Sequence, residues 1–224
     1  MPLRLRSFAR TLTFAIFLPL GVAACATTPP GVLPVADITP SIEQLAAARY
    51  GAIDTEKFPV PAVSLKQLKQ RNMRELVDYA TDQPVGTVVV DPKGKYLYLV
   101  QEGGKALRYG VGVGKAGMEF TGTAKIAYKR EWPRWTPTQD MIARSPEKYQ
   151  QWAGGMEGGA RNPLGARALY LFKDGKDTLY RIHGTNEPWS IGQAVSSGCI
   201  RMMNQDVIDL YDRIPDGSKV VVLG

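Results

Sequence analysis

The sequence predicts a mainly β protein, a sandwich or barrel of short mixed strands with few helices. Two observations carry this. From Gly86 onward, runs rich in β-branched and aromatic residues recur at close spacing, bounded by Gly, Pro, Asn or Asp. Over the same stretch only "NQDVIDLYDRI" has a clean helical stripe. A chain of 224 residues is long enough for one domain of ordinary size plus additional sequence.

The additional sequence comes first. Arg4, Arg6 and Arg10 precede an apolar run, "TLTFAIFLPLGVAAC", that is too short for a comfortable membrane span and ends in small residues. Residues 1–24 therefore read as an export signal. Val22-Ala23-Ala24-Cys25 resembles the lipobox of bacterial lipoproteins, where the cysteine is acylated and becomes the new N-terminus. That resemblance implies lipidation of Cys25 and a membrane anchor of two or three acyl chains, enough to hold firmly where one is not. It does not say whether the membrane is inner or outer. The plainer alternative is a secreted protein cut after Ala24, with a free thiol left there.

Residues 25–85 read as a tether. "ATTPPGVLP" and "KFPVPAV" are proline-rich and suit an extended path. Two short helices are expected within it. "SIEQLAAARY" has a capping residue at Ser41 and a Glu in its first turn. "SLKQLKQRNMRELVDYA" has only a loose stripe of Leu65, Leu68, Leu76 and Val77.

Residues 86–224 carry the strands. "GTVVVD" and "KYLYLV" form a hairpin about "PKG". "KALRYGVGVG" is a third strand. "GTAKIAYKR" is a fourth, with Ala124, Ile126 and Tyr128 alternating on one face. "PTQDMIARSPEKYQQWAGG" is a helical or irregular insertion containing Trp152, preceded closely by Trp132 and Trp135. "ALYLF" and "TLYRIHG" pair about "KDGKD". In "NQDVIDLYDRI", Asn204 is the expected cap, Asp206 suits the first turn, and Val207, Ile208, Leu210, Tyr211 and Ile214 line one face. "SKVVVL" closes the chain as a strand.

The chain has two cysteines and one histidine. If Cys25 is lipidated, Cys199 has no disulfide partner in an oxidising compartment, where cysteines are usually paired. A lone thiol is ordinarily a small core hydrophobe, and a lone histidine is ordinarily structural. Here His183 ends a predicted strand, and Cys199 follows a Ser-Ser-Gly turn just before a helix. A base near a thiol makes it a nucleophile. Turn N–H groups at Gly198 and Cys199 are candidates to hold a tetrahedral oxyanion. One His and one free Cys cannot complete a metal site, and no metal or cofactor is expected. "GVGVG" lacks the helix and Lys-Ser/Thr pair of a phosphate loop.

With those residues in view, "IHGTNEPWSIGQAVSSGCIRMMN" resembles the catalytic stretch of the L,D-transpeptidases, the YkuD-type domain. The matching positions are His183, Ser196, Gly198, Cys199, Ile200, Arg201 and Asn204. "YGVGVGKAGMEFTGTAKI" and "NPLGARALYLF" extend the likeness over about residues 86–223. Many members have a second histidine where this chain has Ser197. The resemblance implies a small β-sandwich of mixed strands with its site in a cleft on one face. It implies a substrate, the peptidoglycan stem peptide, and a mechanism. Cys199 attacks the diaminopimelate carbonyl beside a terminal D-alanine, His183 moves the proton, and a thioester passes to an amine. It also implies that the Gly184 carbonyl orients the imidazole.

Other assignments stay open at this level. Arg201 either binds a substrate carboxylate through a planar fork or braces the loop. Ser196 and Ser197 either contact substrate or permit the turn. Trp189 either contacts substrate or packs. A hydrolase that uses water in place of the amine needs the same residues, and a peptidoglycan-binding module without catalysis is the third reading. The charge excludes little. The chain is +7, and without residues 1–24, which carry three arginines and no acid, the balance is +4. The bases are scattered, which gives no footprint for nucleic acid and suits work beside an anionic polymer in the periplasm and cell envelope.

Overall fold

The structure, a computed structural model, describes residues 41–64, 66–115 and 120–224. The export signal, Cys25 and residues 26–40 of the proline-rich stretch lie outside the described residues. Within residues 41–224, α1 is Ile42–Tyr50, and the strands open with β1 at Glu75–Asp78, β2 at Val88–Asp91, β3 at Tyr96–Val100, β4 at Lys105–Gly110 and β5 at Val113–Gly114. Next come β6 at Gly122–Glu131 and the insertion with α2, Gln139–Arg144, and α3, Pro146–Tyr149. β7 (Arg167–Lys173) and β8 (Lys176–His183) form the hairpin expected about "KDGKD". Two short strands follow, β9 (Ala194–Ser196) and β10 (Ile200–Arg201), then α4 (Asn204–Arg213) and β11 (Lys219–Val222).

The strands form a nine-stranded mixed sheet in the order β1-β4-β3-β2-β11-β6-β7-β8-β10, with β5 and β9 paired separately. β11 runs parallel to β2 and β10 parallel to β8; the other pairs of the large sheet are antiparallel. Alternation fixes the two faces. Val88, Val90, Leu97, Leu99, Ile126, Leu169, Leu171, Ile182, Val220 and Val222 all point inward to one buried cluster, joined there by Val207, Leu210 and Ile214 of α4. One cluster reached from so many strands requires the sheet to curl around it. Each such aliphatic side chain contributes about 2 kcal/mol by burial. The mainly β, mixed-strand reading of the sequence holds.

Three expectations are corrected. The helix expected over "SLKQLKQRNMRELVDYA" is absent: a single 3-10 turn at Gln70–Asn72 leads into β1. There β1 pairs with β4 and is fastened by Arg108 to Glu75 (2.7 Å) and Lys105 to Asp78 (2.5 Å). A loose apolar stripe is weaker than a strand's pairing with an open sheet edge.

Residues 41–84 do not run free as a tether. Residues 40–224 form one compact unit, and Ala46, Tyr50, Leu68 and Met73 are buried with Ile191 and Met203, which flank the Cys199 turn. Gln205 fastens this strap further, its side-chain amide donating to Gly51 O and Pro61 O, both at 3.0 Å.

Asn204 does not cap α4. Met203 occupies the cap position with no side-chain hydrogen bond, and Asn204 is the first helical residue. Its amide is used elsewhere, as described below. α1, in contrast, has the cap expected at Ser41, and Gln44 completes a capping box by reaching back to the Ser41 N–H.

Candidate active site

β8 ends at His183 and β10 at Arg201, and the two residues are direct neighbours in the parallel register. Ile182 and Ile200 beside them face the core, so His183 and Arg201 face outward. Cys199 enters from the same side. All three line a cleft of about 650 Å³ whose other wall is the insertion, including Trp135, Tyr149 and Trp152.

His183 is 5% exposed. Its Nδ1 lies 2.6 Å from the Gly184 carbonyl oxygen. A carbonyl only accepts, so Nδ1 carries the hydrogen of the neutral ring and Nε2 is the basic nitrogen. Burial, and then the positive charge of Arg201, pull the imidazole pKa down to about 4; the Gly184 bond opposes this without cancelling it.

The Cys199 thiol is pushed above its usual pKa, chiefly by burial. The Arg181 backbone N–H and the Arg181 and Arg201 charges pull the other way and do not offset it. Both shifts favour uncharged forms, so the resting pair is thiol and neutral imidazole. The thiol points to the Leu179 carbonyl at 3.9 Å, a contact that suits an S–H donor.

The turn before Cys199 is held by Ser196, which is buried. Its hydroxyl donates to Cys199 O (2.6 Å) and accepts from the Gly198 N–H (3.2 Å). The Gly198 N–H, expected to face an oxyanion, is therefore already bonded. What Gly198 supplies is conformation: its φ is 127°, a value side chains rarely adopt. Ser197 is exposed and lines the cleft.

Arg201 donates to Glu187 Oε2 at 2.7 Å, so it braces the loop after β8 while lining the cleft. Trp189 is 47% exposed and lies outside the cleft lining, which fits neither packing nor contact within the cleft. Trp132 packs edge-on against Phe58, with its indole N–H on Glu56 at 2.8 Å. Trp135 and Trp152 do line the cleft.

Sequence reasoning missed three participants. Glu187 is the partner of Arg201. Arg181 is held by Asp177 through contacts of 2.6 and 2.8 Å and lies 4.3 Å from the Tyr170 ring. Leu179 is 62% exposed with φ of 62°, and its carbonyl receives the thiol. The alternation of "RIH", with Ile182 inward, was the available signal for Arg181 and His183 sharing the outer face; it does not extend to Leu179, where the strand kinks and its register shifts.

A family model described as L,D-transpeptidase catalytic domain, YkuD, matches residues 86–222. The chain belongs to the YkuD family of L,D-transpeptidase catalytic domains. This YkuD chain is 31% identical over 140 residues to the "Probable L,D-transpeptidase ErfK/SrfK" of Escherichia coli K12, covering 62% of this chain and 44% of that protein. It is 36% identical over 112 residues to the "Probable L,D-transpeptidase YbiS" of the same strain, covering 49% and 35%. The matched region thus spans less than half the length of these curated relatives. A solved structure from Brucella melitensis, described as a probable carnitine operon oxidoreductase CaiA, is 52% identical over 71% of this chain and 99% of that one, with a TM-score of 0.49. The YkuD match begins at Gly86, so the docked strap of residues 41–84 lies outside it.

Proposed function

We propose that this YkuD chain is a cysteine-dependent peptidoglycan L,D-transpeptidase. The observation that carries the reading is the His183 Nδ1–Gly184 hydrogen bond, which leaves Nε2 as base on the outer face shared with Cys199. As Cys199 Sγ attacks the diaminopimelate carbonyl, its proton passes to His183 Nε2. The Cys199 N–H is the donor left at the turn for the tetrahedral oxygen, since the Gly198 N–H is taken. The C–N bond then breaks, the D-alanine amine takes the proton from His183, and a thioester remains. In the second half His183 accepts a proton from the acceptor amine, the new C–N bond forms, the C–S bond breaks, and the proton returns to sulfur.

The neutral resting pair means that no ion pair is pre-formed; the proton moves only with the attack. With His183 drawn down to about 4, kcat/KM stays on a plateau well below neutral pH and falls as pH drops through about 4. A pH–rate profile on the donor peptide checks this; an acid limb near 6.5, the ordinary imidazole value, contradicts it.

The substrate is tested directly by incubating the protein with disaccharide-tetrapeptide and weighing the products. Cross-linked dimer with loss of D-alanine supports transfer. Tripeptide monomer means that water is the acceptor, and no turnover removes the reading. Cys199→Ala abolishes either product.

We place the protein in the cell envelope, anchored through lipid on Cys25 after removal of residues 1–24. Among the described residues no helix is long and apolar enough to cross a membrane. Cys25→Ser is expected to move the protein from the membrane to the soluble fraction; retention in the membrane overturns the lipid anchor.

A further inference from the structure

We propose that Asn204 is the positioning residue of His183, acting through the Gly184–Thr185 backbone and not touching substrate. Asn204 is the first helical residue of α4, one position past the cap, and its side chain does not cap the helix. Its side chain bridges the ends of two strands instead. Oδ1 accepts from the Ala166 N–H at 2.9 Å, just before β7, and Nδ2 donates to the Thr185 carbonyl at 3.1 Å, just after β8.

Space for that amide is cleared by two glycines. A Cβ on either Gly165 or Gly184 would collide with Asn204 Oδ1, and Gly165 in addition has φ of 63°. The amide is thus wedged against the residue whose carbonyl takes the His183 Nδ1–H. With the Thr185 carbonyl tied by Nδ2, the Gly184 N–H on Arg167 O (3.0 Å) and the His183 carbonyl on the Met202 N–H (2.8 Å), the Gly184 carbonyl has one direction left. That direction selects the Nδ1–H tautomer and with it the basic Nε2. This role concerns the geometry of the imidazole and stands whether the acyl group goes to an amine or to water.

The single histidine of the chain makes the test unambiguous, because ¹⁵N-histidine labelling of the full chain gives one imidazole. The experiment needs no substrate, so it fails or succeeds independently of the proposed reaction. The wild type is expected to show one neutral tautomer with the hydrogen on Nδ1. Asn204→Ala is expected to show a mixture of tautomers and a titration midpoint moved further downward, because the Gly184 carbonyl that favours the protonated ring is loosened, while Arg201 and Arg181, the charges that bear on the ring, and Glu187, which pairs with Arg201, are unchanged. On the donor peptide, kcat is expected to fall at least ten-fold with KM changed less than two-fold.

Gln205→Ala is the control for a merely structural effect: it removes the neighbouring side chain's bonds to Gly51 and Pro61, lowers the melting temperature and leaves the histidine spectrum as in wild type. If Asn204→Ala is too unstable to label, Asn204→Ser, too short to reach both partners, is read in the same way. A wild-type tautomer and midpoint in the folded variant overturn the proposal, and so does an equal change in the Gln205→Ala spectrum.

Discussion

Asn204 and Asp206 lie two residues apart on the first turn of α4, and their side chains enter two different polar clusters. Asn204 joins His183, Gly184 and Thr185, where amides, carbonyls and a neutral ring satisfy one another. Asp206 is fully buried on the strap side, where Tyr50 donates to it (3.2 Å) and Arg74 lies 3.6 Å away. Arg74 also reaches Asp209 (3.0 Å), which accepts from Tyr109 (2.7 Å) and pairs with Arg213. The strap cluster is therefore held by charge and the catalytic cluster by dipoles. A base that must receive a proton in a dry site works best with no fixed carboxylate against it, because a nearby negative charge would hold it protonated.

The largest expected effect removes the catalytic cluster's function without its fold. His183→Gln is expected to lower kcat/KM by about 10²–10⁴-fold, the usual contribution of a positioned general base. Its melting temperature is expected to change far less than that of the next variant. A variant with wild-type turnover would show that the imidazole is not the base.

Arg74→Ala has the reverse signature. It leaves Asp206 and Asp209 without their shared cation, and breaking a buried pair costs about 3–5 kcal/mol. For a chain of this size the melting temperature should fall by roughly 10 °C. Turnover at 25 °C should be close to wild type, because no residue of the strap cluster touches the cleft. If Arg74→Ala silences the enzyme while it remains folded, the two clusters are coupled and the division drawn here fails.

The two clusters also oppose each other in pH. Burial pushes the Asp206 carboxyl up to about 7 from an ordinary 3.8, even against the pull of Arg74. Between those values the folded state holds the extra proton, so this contribution to stability is lost as pH rises. His183 has the opposite sign. Its pKa of about 4 lies below the ordinary 6.5, so the unfolded state holds the extra proton and stability is lost as pH falls through that range. From about pH 4 to 6.5 the wild type should therefore be nearly flat. Asp206→Asn should make stability rise with pH, and His183→Gln should make it fall. Urea titrations at three pH values across the range read the slopes. Like slopes in the two variants would contradict the assignment.

How far these clusters can be read from sequence differs for a physical reason. The longer strands from Gly86 onward, the insertion and α4 follow from local patterns, because alternation and turn residues act over a few positions; His183 and Cys199 stand out instead by count, as the one histidine and one of two cysteines, and by the motif they share. The strap cluster does not. Tyr50, Arg74 and Asp206 are brought together by burial across most of the chain, and nothing near any of them in sequence announces it. Asn204 misled for a related reason. Its position suits a cap, and only the close approach of Gly165 and Gly184 shows where its amide goes. Gly198 was noticed for its N–H, whereas its backbone conformation is what the site uses.

The smallest expected effect concerns strain beside the thiol. Leu179 has φ of 62° and stays there because its neighbours hold the kink: Thr178 Oγ1 donates to Leu171 O (2.6 Å) and accepts from the Tyr180 N–H (3.2 Å), and the Leu179 N–H donates to Asp177 (2.8 Å). A side chain in this region costs about 1–2 kcal/mol, partly offset by the greater freedom of glycine in the unfolded chain. The Leu179 side chain is 62% exposed, so little burial is lost with it. Leu179→Gly should therefore raise the melting temperature by about 1–3 °C. Leu179→Ala, which keeps a Cβ in the same conformation, should leave it unchanged. A lower melting temperature for the glycine variant would mean that the leucine is held by packing, and that the catalytic side of the sheet stores no strain at this position.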